Sequence, residues 1–270
     1  MISILLPCYK SEKLLEKVFI PSLQHNTNSV QVILYDNGGN GDIKKHQHEP
    51  RFHGSGSMQE IKVIGDGVNI GLNAALNECA KVATGDYFYL PHTDMYLLPD
   101  WDKALLQASK NLAPTSYLLC SRSIEPGYSH IRSQIIKDYG NEVENFQEER
   151  LLREFNQFVE EKVVVNARMP FFMHRKMWEK MGGVDSNYFS YCTDDDLVQT
   201  AYDIGVRKFY MIYRSMCYHL QGRSNTQQSI DRDRNEPYEY FIKKWQEKYP
   251  KVSHPGQYHP RLIPFEARVR

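Results

Sequence analysis

The sequence has no excess charge of either sign: 33 Lys and Arg face 33 Asp and Glu, for a net charge of zero. Without a basic field, nucleic acid is not an expected partner. Cysteine is scarce. The five present (Cys8, Cys79, Cys120, Cys192 and Cys217) are odd in number and widely spaced, with no Cys-x-x-Cys pair. That pattern argues against a disulfide framework, and the apolar or aromatic neighbours of most of them suit reduced, buried thiols. No apolar stretch is long enough to span a bilayer, and Met1 runs directly into Ile2-Ser3-Ile4-Leu5-Leu6 without a leader-like segment. The expectation is an intracellular, cytoplasmic protein with no transmembrane segment, at most peripheral to a membrane. No Gly-x-Gly-x-x-Gly follows a strand-like run, which disfavours a dinucleotide-binding oxidoreductase. Internal repeats and low-complexity tracts are absent as well.

What is present is a globular composition, 41% hydrophobic over 270 residues, enough to bury a real core. Tyrosine is frequent at 18 residues. Its flat face and polar tip suit ring-shaped ligands, although most of these side chains read as half-buried core edges. Strand and helix signals alternate through the first hundred residues. Ile2 to Leu6 is a short apolar run, and Ser11 stands where a helix with Leu14, Leu15, Val18 and Phe19 would be capped. Val30 to Tyr35 is a second strand that stops at the turn Asp36-Asn37-Gly38-Gly39. Ile61 to Ile64 is a third. Gly71 to Ala83 reads as a helix with Leu72, Ala75, Leu76, Cys79 and Ala80 on one face, and Tyr87 to Leu90 as a fourth strand stopped by Pro91.

Apolar strands separated by crossover helices predict a parallel sheet covered on both faces. Such sheets bind ligands beyond the carboxyl ends of their strands. The sequence places its polar residues there: Cys8-Tyr9, Asp36-Asn37, Asp66 with Asn69, and His92 with Asp94. The second half is less regular, with a strand expected at Tyr117 to Cys120, a helix at Glu148 to Glu161 and an apolar strand from Arg207 to Tyr213. Between Asn40 and Gln59 the sequence reads as a long polar loop. His46, His48 and His53 within it offer a minor metal-binding alternative to plain solvation.

Read together, these segments resemble the inverting family-2 glycosyltransferases of GT-A fold. Ser3-Ile4-Leu5-Leu6-Pro7-Cys8-Tyr9-Lys10 is similar to the family's opening strand, and Ile33-Leu34-Tyr35-Asp36-Asn37-Gly38-Gly39 to its second. Asn69-Ile70-Gly71-Leu72-Asn73, followed by Ala83-Thr84-Gly85-Asp86-Tyr87, resembles its Asn-x-Gly helix entry and Gly-Asp strand entry. His92-Thr93-Asp94 falls where the family has Asp-x-Asp. Phe171-Phe172-Met173-His174-Arg175 through Gly182-Gly183-Val184-Asp185 resembles the acceptor-side strand, helix and turn. Thr193-Asp194-Asp195-Asp196-Leu197 stands in place of Glu-Asp-x-Asp-Leu, and Tyr218-His219-Leu220-Gln221-Gly222-Arg223-Ser224 in place of a late His-x-x-Gly-x-Ser segment. The order of these motifs spans Ser3 to about Trp245.

The resemblance implies a GT-A type α/β fold: a mostly parallel, Rossmann-like central sheet flanked by helices, with a mixed acceptor-side half. It implies one domain over 1–270, with a nucleotide-sugar-binding half at 1–98, an acceptor-binding and catalytic half at 99–220, and a lid loop with C-terminal helix and tail at 221–270. The implied reaction moves a sugar from a nucleoside diphosphate, with UDP the expected nucleotide, to the hydroxyl of a glycan, lipid-linked or small-molecule acceptor. A divalent cation, manganese or magnesium, neutralises the leaving diphosphate. Asp94 and His219 are the implied metal ligands, and imidazole beside carboxylate suits manganese. Asp94 alone also reads as a turn-forming acid, and His219 alone as an ordinary strand-end histidine.

Pro7, Tyr9 and Asp36 are implied at the base, Asn69 and Gly71 near ribose and diphosphate, and His92 and Thr93 beside them. Gly71 reads equally well as a helix-entry turn. An inverting transfer needs a carboxylate to take the acceptor's proton, and motif position gives that role to Asp194. Asp195 and Asp196 leave the register open, and three acids at a helix start also complement its positive end, with Thr193 or Asp194 as its cap. His92 and Thr193 depart from the acidic residues usual at their positions. They keep open a catalytically inactive nucleotide- or sugar-binding relative. A nucleotidyltransferase for sugar phosphates is the other alternative, against which stands Pro7-Cys8-Tyr9-Lys10-Ser11 where that class carries a Gly-rich loop.

Overall fold

The computed structural model describes residues 1–39, 41–52, 58–127, 134–221 and 235–250. Strand β1 (Ile2–Cys8) shows why the sheet is central. Ile2, Ile4, Leu6 and Cys8 enter one apolar cluster while Leu5 enters another on the opposite face, and all five are fully buried. A strand that is apolar on both faces must be covered on both. On the Leu5 face lie helices α3 (Leu72–Val82), α6 (Arg175–Met181) and α7 (Thr193–Asp203). On the other lie a helical run and α4 (Trp101–Ser109). That run consists of α1 (Glu12–Leu14), a π-helical turn Leu15–Phe19, α2 (Ile20–Ser22) and a 3₁₀ turn Leu23–His25.

In the first half, β1 pairs in parallel with β2 (Val30–Asp36) and β5 (Tyr87–Leu90), and β2 with β4 (Met58–Ile64). The carboxyl ends of β1, β2 and β5 therefore open on one edge. The second half is mixed. Strand β10 (Phe171–His174) runs antiparallel between β5 and β7 (Tyr117–Glu125), and β7 pairs in parallel with β11 (Lys208–His219). Strand β6 (Met95–Leu97) closes the path antiparallel to the end of β11, while β8 (Ile135–Ile136) and β9 (Val163–Val165) pair with β7 and β11. This is the α/β architecture expected from the sequence. The β7–β11 register shifts between Ile212 and Met216, and beyond the shift the last residue of β11, His219, pairs with Met95.

Several local expectations change. The segment from residue 40 to 59 is not one loop: it holds a 3₁₀ turn Ile43–His46 and β3 (His48–Phe52), antiparallel to β4, which itself begins at Met58. His46 lies 3.5 Å from Glu16, and His53 lies outside the described residues. Strand β7 continues past Cys120 because the polar run Ser121-Arg122-Ser123 is satisfied inside the protein. Ser121 hydrogen-bonds Tyr89 and Ser215, and Arg122 pairs with Glu160 at 2.7 Å. Helix α5 stops at Glu154 (Glu148–Glu154) and tightens into a 3₁₀ turn Phe155–Phe158. The expected lid lies, apart from Gln221, outside the described residues, as do residues 251–270; helix α8 (Asn235–Trp245) lies between them. Among the described residues, no helix is long and apolar enough to cross a membrane. All five cysteines are buried, and none forms a disulfide.

Candidate functional site

The parallel half sets out the first group of candidate residues at its strand ends. Pro7 pairs with Tyr35 and Cys8 with Asp36, which leaves Tyr9 and Asn37 just beyond the last rung. Asp36 accepts from the Gly38 N–H at 3.1 Å and holds the turn open. Asn37 is fully buried, and its carbonyl accepts from the Ile70 N–H at 2.8 Å, fastening the next strand-to-helix turn to this one. Asn69 spends its own carbonyl on the Gly71 N–H at 3.0 Å. Gly71 begins α3 at φ +88°, and an added Cβ would stand 2.7 Å from the Phe189 ring. A left-handed backbone and a close approach both demand glycine there. The helix-entry reading of Gly71 thus has a direct structural cause.

A second group meets where β5 ends and β6 begins. Asp94 has no exposed surface and Thr93 almost none. The Leu220 N–H donates to the Asp94 carbonyl at 2.9 Å, and His219 pairs with Met95 in the ladder. These backbone bonds bring His219 Nε2 to 3.5 Å from Asp94 Oδ2. His92 joins them, with its ring 6.3 Å from that of His219. The donor atoms of His92, Asp94 and His219 lie within 4.8 Å of one another, the one such cluster among the described residues. An ion about 2.0–2.3 Å from each donor sets neighbouring donors at most about 4.6 Å apart, a span small side-chain rotations provide here. Burial pulls the His92 imidazole below its ordinary value, against the opposing charge of Asp94. Burial acts the same way on His219, but the Asp94 and Glu125 carboxylates overcome it and raise that group to about 9.

Glu125 is a residue that sequence reasoning missed. It ends β7 and is buried, and its Oε1 lies 3.3 Å from His219 Nδ1. Gln134 and Ser123 donate to the same oxygen at 2.5 and 3.1 Å. Burial disfavours the Glu125 carboxylate, yet the His219 contact holds its carboxyl below the usual range. A carboxylate on the far nitrogen of a ligating histidine fixes its tautomer and aim. The available signal was position alone: Glu125, like the other polar residues, follows an apolar strand.

The acids of α7 occupy distinct surroundings. Asp196 is buried and bound by Trp245 Nε1 at 2.7 Å, by the Tyr188 hydroxyl at 3.1 Å and by Lys244, which ties α7 to α8. Asp195 is buried, whereas Asp194 is half-buried. The charge of Asp194 is felt at His92, a hundred residues earlier. The expected side-chain cap does not form: Cys192, at φ +64°, is the N-cap residue, and Thr193 donates to Asn73 at 2.6 Å. Asn73 also donates to the Asp185 carbonyl at 2.8 Å, and Asn77 donates to and accepts from Val184. One face of α3 therefore holds the start of α7 in place. Neither asparagine was singled out from the sequence. A cleft of about 430 Å³ between α3 and α6, lined by Asn77, Lys81, Arg175 and Trp178 among others, shares no residue with the His–Asp–His cluster.

A parallel half that ends in this cluster, joined to a mixed half that supplies carboxylates, is the GT-A arrangement of glycosyltransferases. The chain belongs to glycosyl transferase family 2, matched over residues 3–182. No curated protein sequence matches it. Among solved structures it is similar to S. aureus TarS 1-349 in complex with UDP-GlcNAc, with TM-score 0.55, 13% identity and coverage of 80% of this chain and 57% of that one. It is also similar to GalNAc-T7 with UDP, GalNAc and Mn2+, with TM-score 0.58, 15% identity and coverage of 93% and 50%. The chain thus spans little more than half the length of these structures, and likeness at such identity speaks for the fold.

Proposed function

We propose that the protein is a metal-dependent, inverting glycosyltransferase that moves a sugar from a nucleoside diphosphate to an acceptor hydroxyl. The observation that carries this reading is the meeting of Asp94 and His219 at one point, with the Asp194 charge felt at the adjoining His92. The similar structures that contain UDP, UDP-GlcNAc or Mn2+ support a sugar-nucleotide donor and a divalent cation. Asp94 and His219 would hold manganese or magnesium, which when bound neutralises charge on the departing diphosphate. Tyr9, Asp36 and the turns at Asn37 and Asn69 line the strand ends where the nucleoside would lie, with His92 and Thr93 next to the diphosphate.

Glu125 holds His219 Nδ1, leaving Nε2 directed at Asp94. Asp194 is the base. As the acceptor oxygen bonds to the anomeric carbon, its proton passes to the Asp194 carboxylate, and the bond to the diphosphate oxygen breaks with its electron pair. A single displacement inverts the anomeric configuration. Asp196 is unsuited to this role because Tyr188, Trp245 and Lys244 already occupy its oxygens. UDP is the proposed nucleotide, and the acceptor class is a glycan, lipid-linked or small-molecule hydroxyl. The test is Asp194→Asn. Turnover should fall by roughly 10²–10⁴-fold with donor affinity kept. Normal turnover, or a product of retained configuration, would reject the reading.

A further inference from the structure

Arg168 is a half-buried cation that the proposed reaction leaves unused. It lies between β9 and β10, just ahead of the rung that pairs Phe171 with Leu90. Because β10 and β5 run antiparallel, the residues before Phe171 head the same way as those after Leu90, and the Arg168 charge acts on His92. On its other side the Pro170 carbonyl accepts from the Ser121 N–H of β7 at 3.3 Å. The segment is thus fixed from both flanks at the opening edge of the sheet.

The guanidinium itself is not satisfied. Its Nε and Nη1 are shut off from solvent and have no hydrogen-bond partner, and Arg168 makes no ion pair among the described residues. The residue as a whole is only half-buried, so it still touches open space. Its charge reaches both His92 and Glu125. Position 92 is a histidine, so no carboxylate there competes for the guanidinium. Leaving a desolvated guanidinium without an acceptor costs stability that the fold does not recover. Arginine is also the side chain best shaped for phosphate and carboxylate oxygens.

We propose that Arg168 binds an oxyanion of the substrate, a phosphate oxygen of the diphosphate or a carboxylate on the transferred sugar. The proposal rests on the sugar-nucleotide reading of the site and assigns it a second cationic contact supplied by the protein. A charge-assisted bond of this kind changes affinity by about tenfold to a hundredfold.

The test is calorimetry with inorganic pyrophosphate, uridine, UDP, UDP-glucose and UDP-glucuronate, in EDTA and in manganese, on wild type, Arg168→Met and Arg168→Lys. A phosphate contact predicts that Arg168→Met loses about tenfold or more of its pyrophosphate and UDP affinity, keeps uridine affinity, and is partly rescued by Arg168→Lys. A sugar carboxylate contact predicts unchanged UDP binding and an equally large loss of preference for UDP-glucuronate over UDP-glucose. Identical affinities for all five ligands in wild type and Arg168→Met would overturn the proposal. The ligand-free melting temperature separates binding from structure: Arg168→Met should match or exceed wild type, and a clear drop would make Arg168 a structural ion instead. If wild type binds pyrophosphate through Arg168 but neither UDP nor its sugars, the sugar-nucleotide reading fails and the anion site stands.

Discussion

Replacing Glu125 by glutamine should flatten the pH dependence of metal binding more than it weakens binding at neutral pH. In the metal-free protein His219 lies between two carboxylates, 3.5 Å from Asp94 and 3.3 Å from Glu125. Burial disfavours the imidazolium, but these charges raise the group to about 9. A cation at Nε2 needs the neutral ring, so each pH unit below that value weakens apparent affinity about tenfold. At pH 7 the proton therefore costs about a hundredfold in affinity. Glu125→Gln removes one of the two charges that hold the proton, so this competition eases. It also removes the acceptor that aims the ring, a loss of about 10–100-fold in intrinsic affinity. The two effects oppose each other near pH 7. Near pH 8.5, where displacing the proton costs only about fourfold, the aiming loss dominates.

Manganese titrations from pH 6 to 8.5, followed by the paramagnetic signal of the free ion, measure this directly. Wild type should gain about one decade of affinity per pH unit, and the variant distinctly less. Parallel slopes would refute the reasoning, because Glu125 would then have no share in the His219 proton. Metal-free stability runs in the opposite sense. A histidine raised above its ordinary 6.5 contributes stability fully below that pH, and the contribution is lost as pH rises through about 9.

Asp94→Ala should abolish manganese-dependent binding of UDP and lower the metal-free melting temperature through the lost His219 contact, with the protein still folded; unchanged metal-dependent affinity in calorimetry would remove Asp94 from the site. Asn73→Ala breaks the bonds to Thr193 and to the Asp185 carbonyl. A loss of about 2–3 kcal/mol in urea unfolding is expected, with Thr193→Val costing less. Asp196→Asn should destabilise by about 2 kcal/mol through the weakened Lys244 contact, yet retain far more turnover than Asp194→Asn. Equal losses of turnover in the two variants would indicate that α7 acts through its position and not through one base.

The parallel half was legible because its strands are apolar on both faces and its turns carry Asp, Asn and Gly. Ile2–Cys8 and Val30–Asp36 extend the predicted runs at their carboxyl ends only. Strand β7 was cut short because Ser121, Arg122 and Ser123 look like loop residues, and only their partners on Tyr89, Ser215 and Glu160 explain their burial. The register shift in β11 left no sequence mark, and it lies between the body of the strand and the end that pairs with β6 and brings His219 to Asp94. Asp94 and His219 were visible as motif positions. Glu125 and Arg168 were not, and the motif that contains Asn73 gave no hint of its bond to Thr193, because each matters for what lies beside it in space. The helix cap was misread for the same reason: Thr193 turns away to Asn73.

The rung between His219 and Met95 ties the order of folding to the site. Among the described residues, β6 has no sheet partner but β11, which emerges from the ribosome more than a hundred residues later. A growing chain can therefore carry Asp94 for more than a hundred residues of synthesis without the His219 partner. Pairings this distant in sequence are slow to form. On the proposed reading of the site, competence to hold a cation then arrives as a single late event, when β11 docks against the sheet. Metal capture by nascent or truncated chains would time that docking.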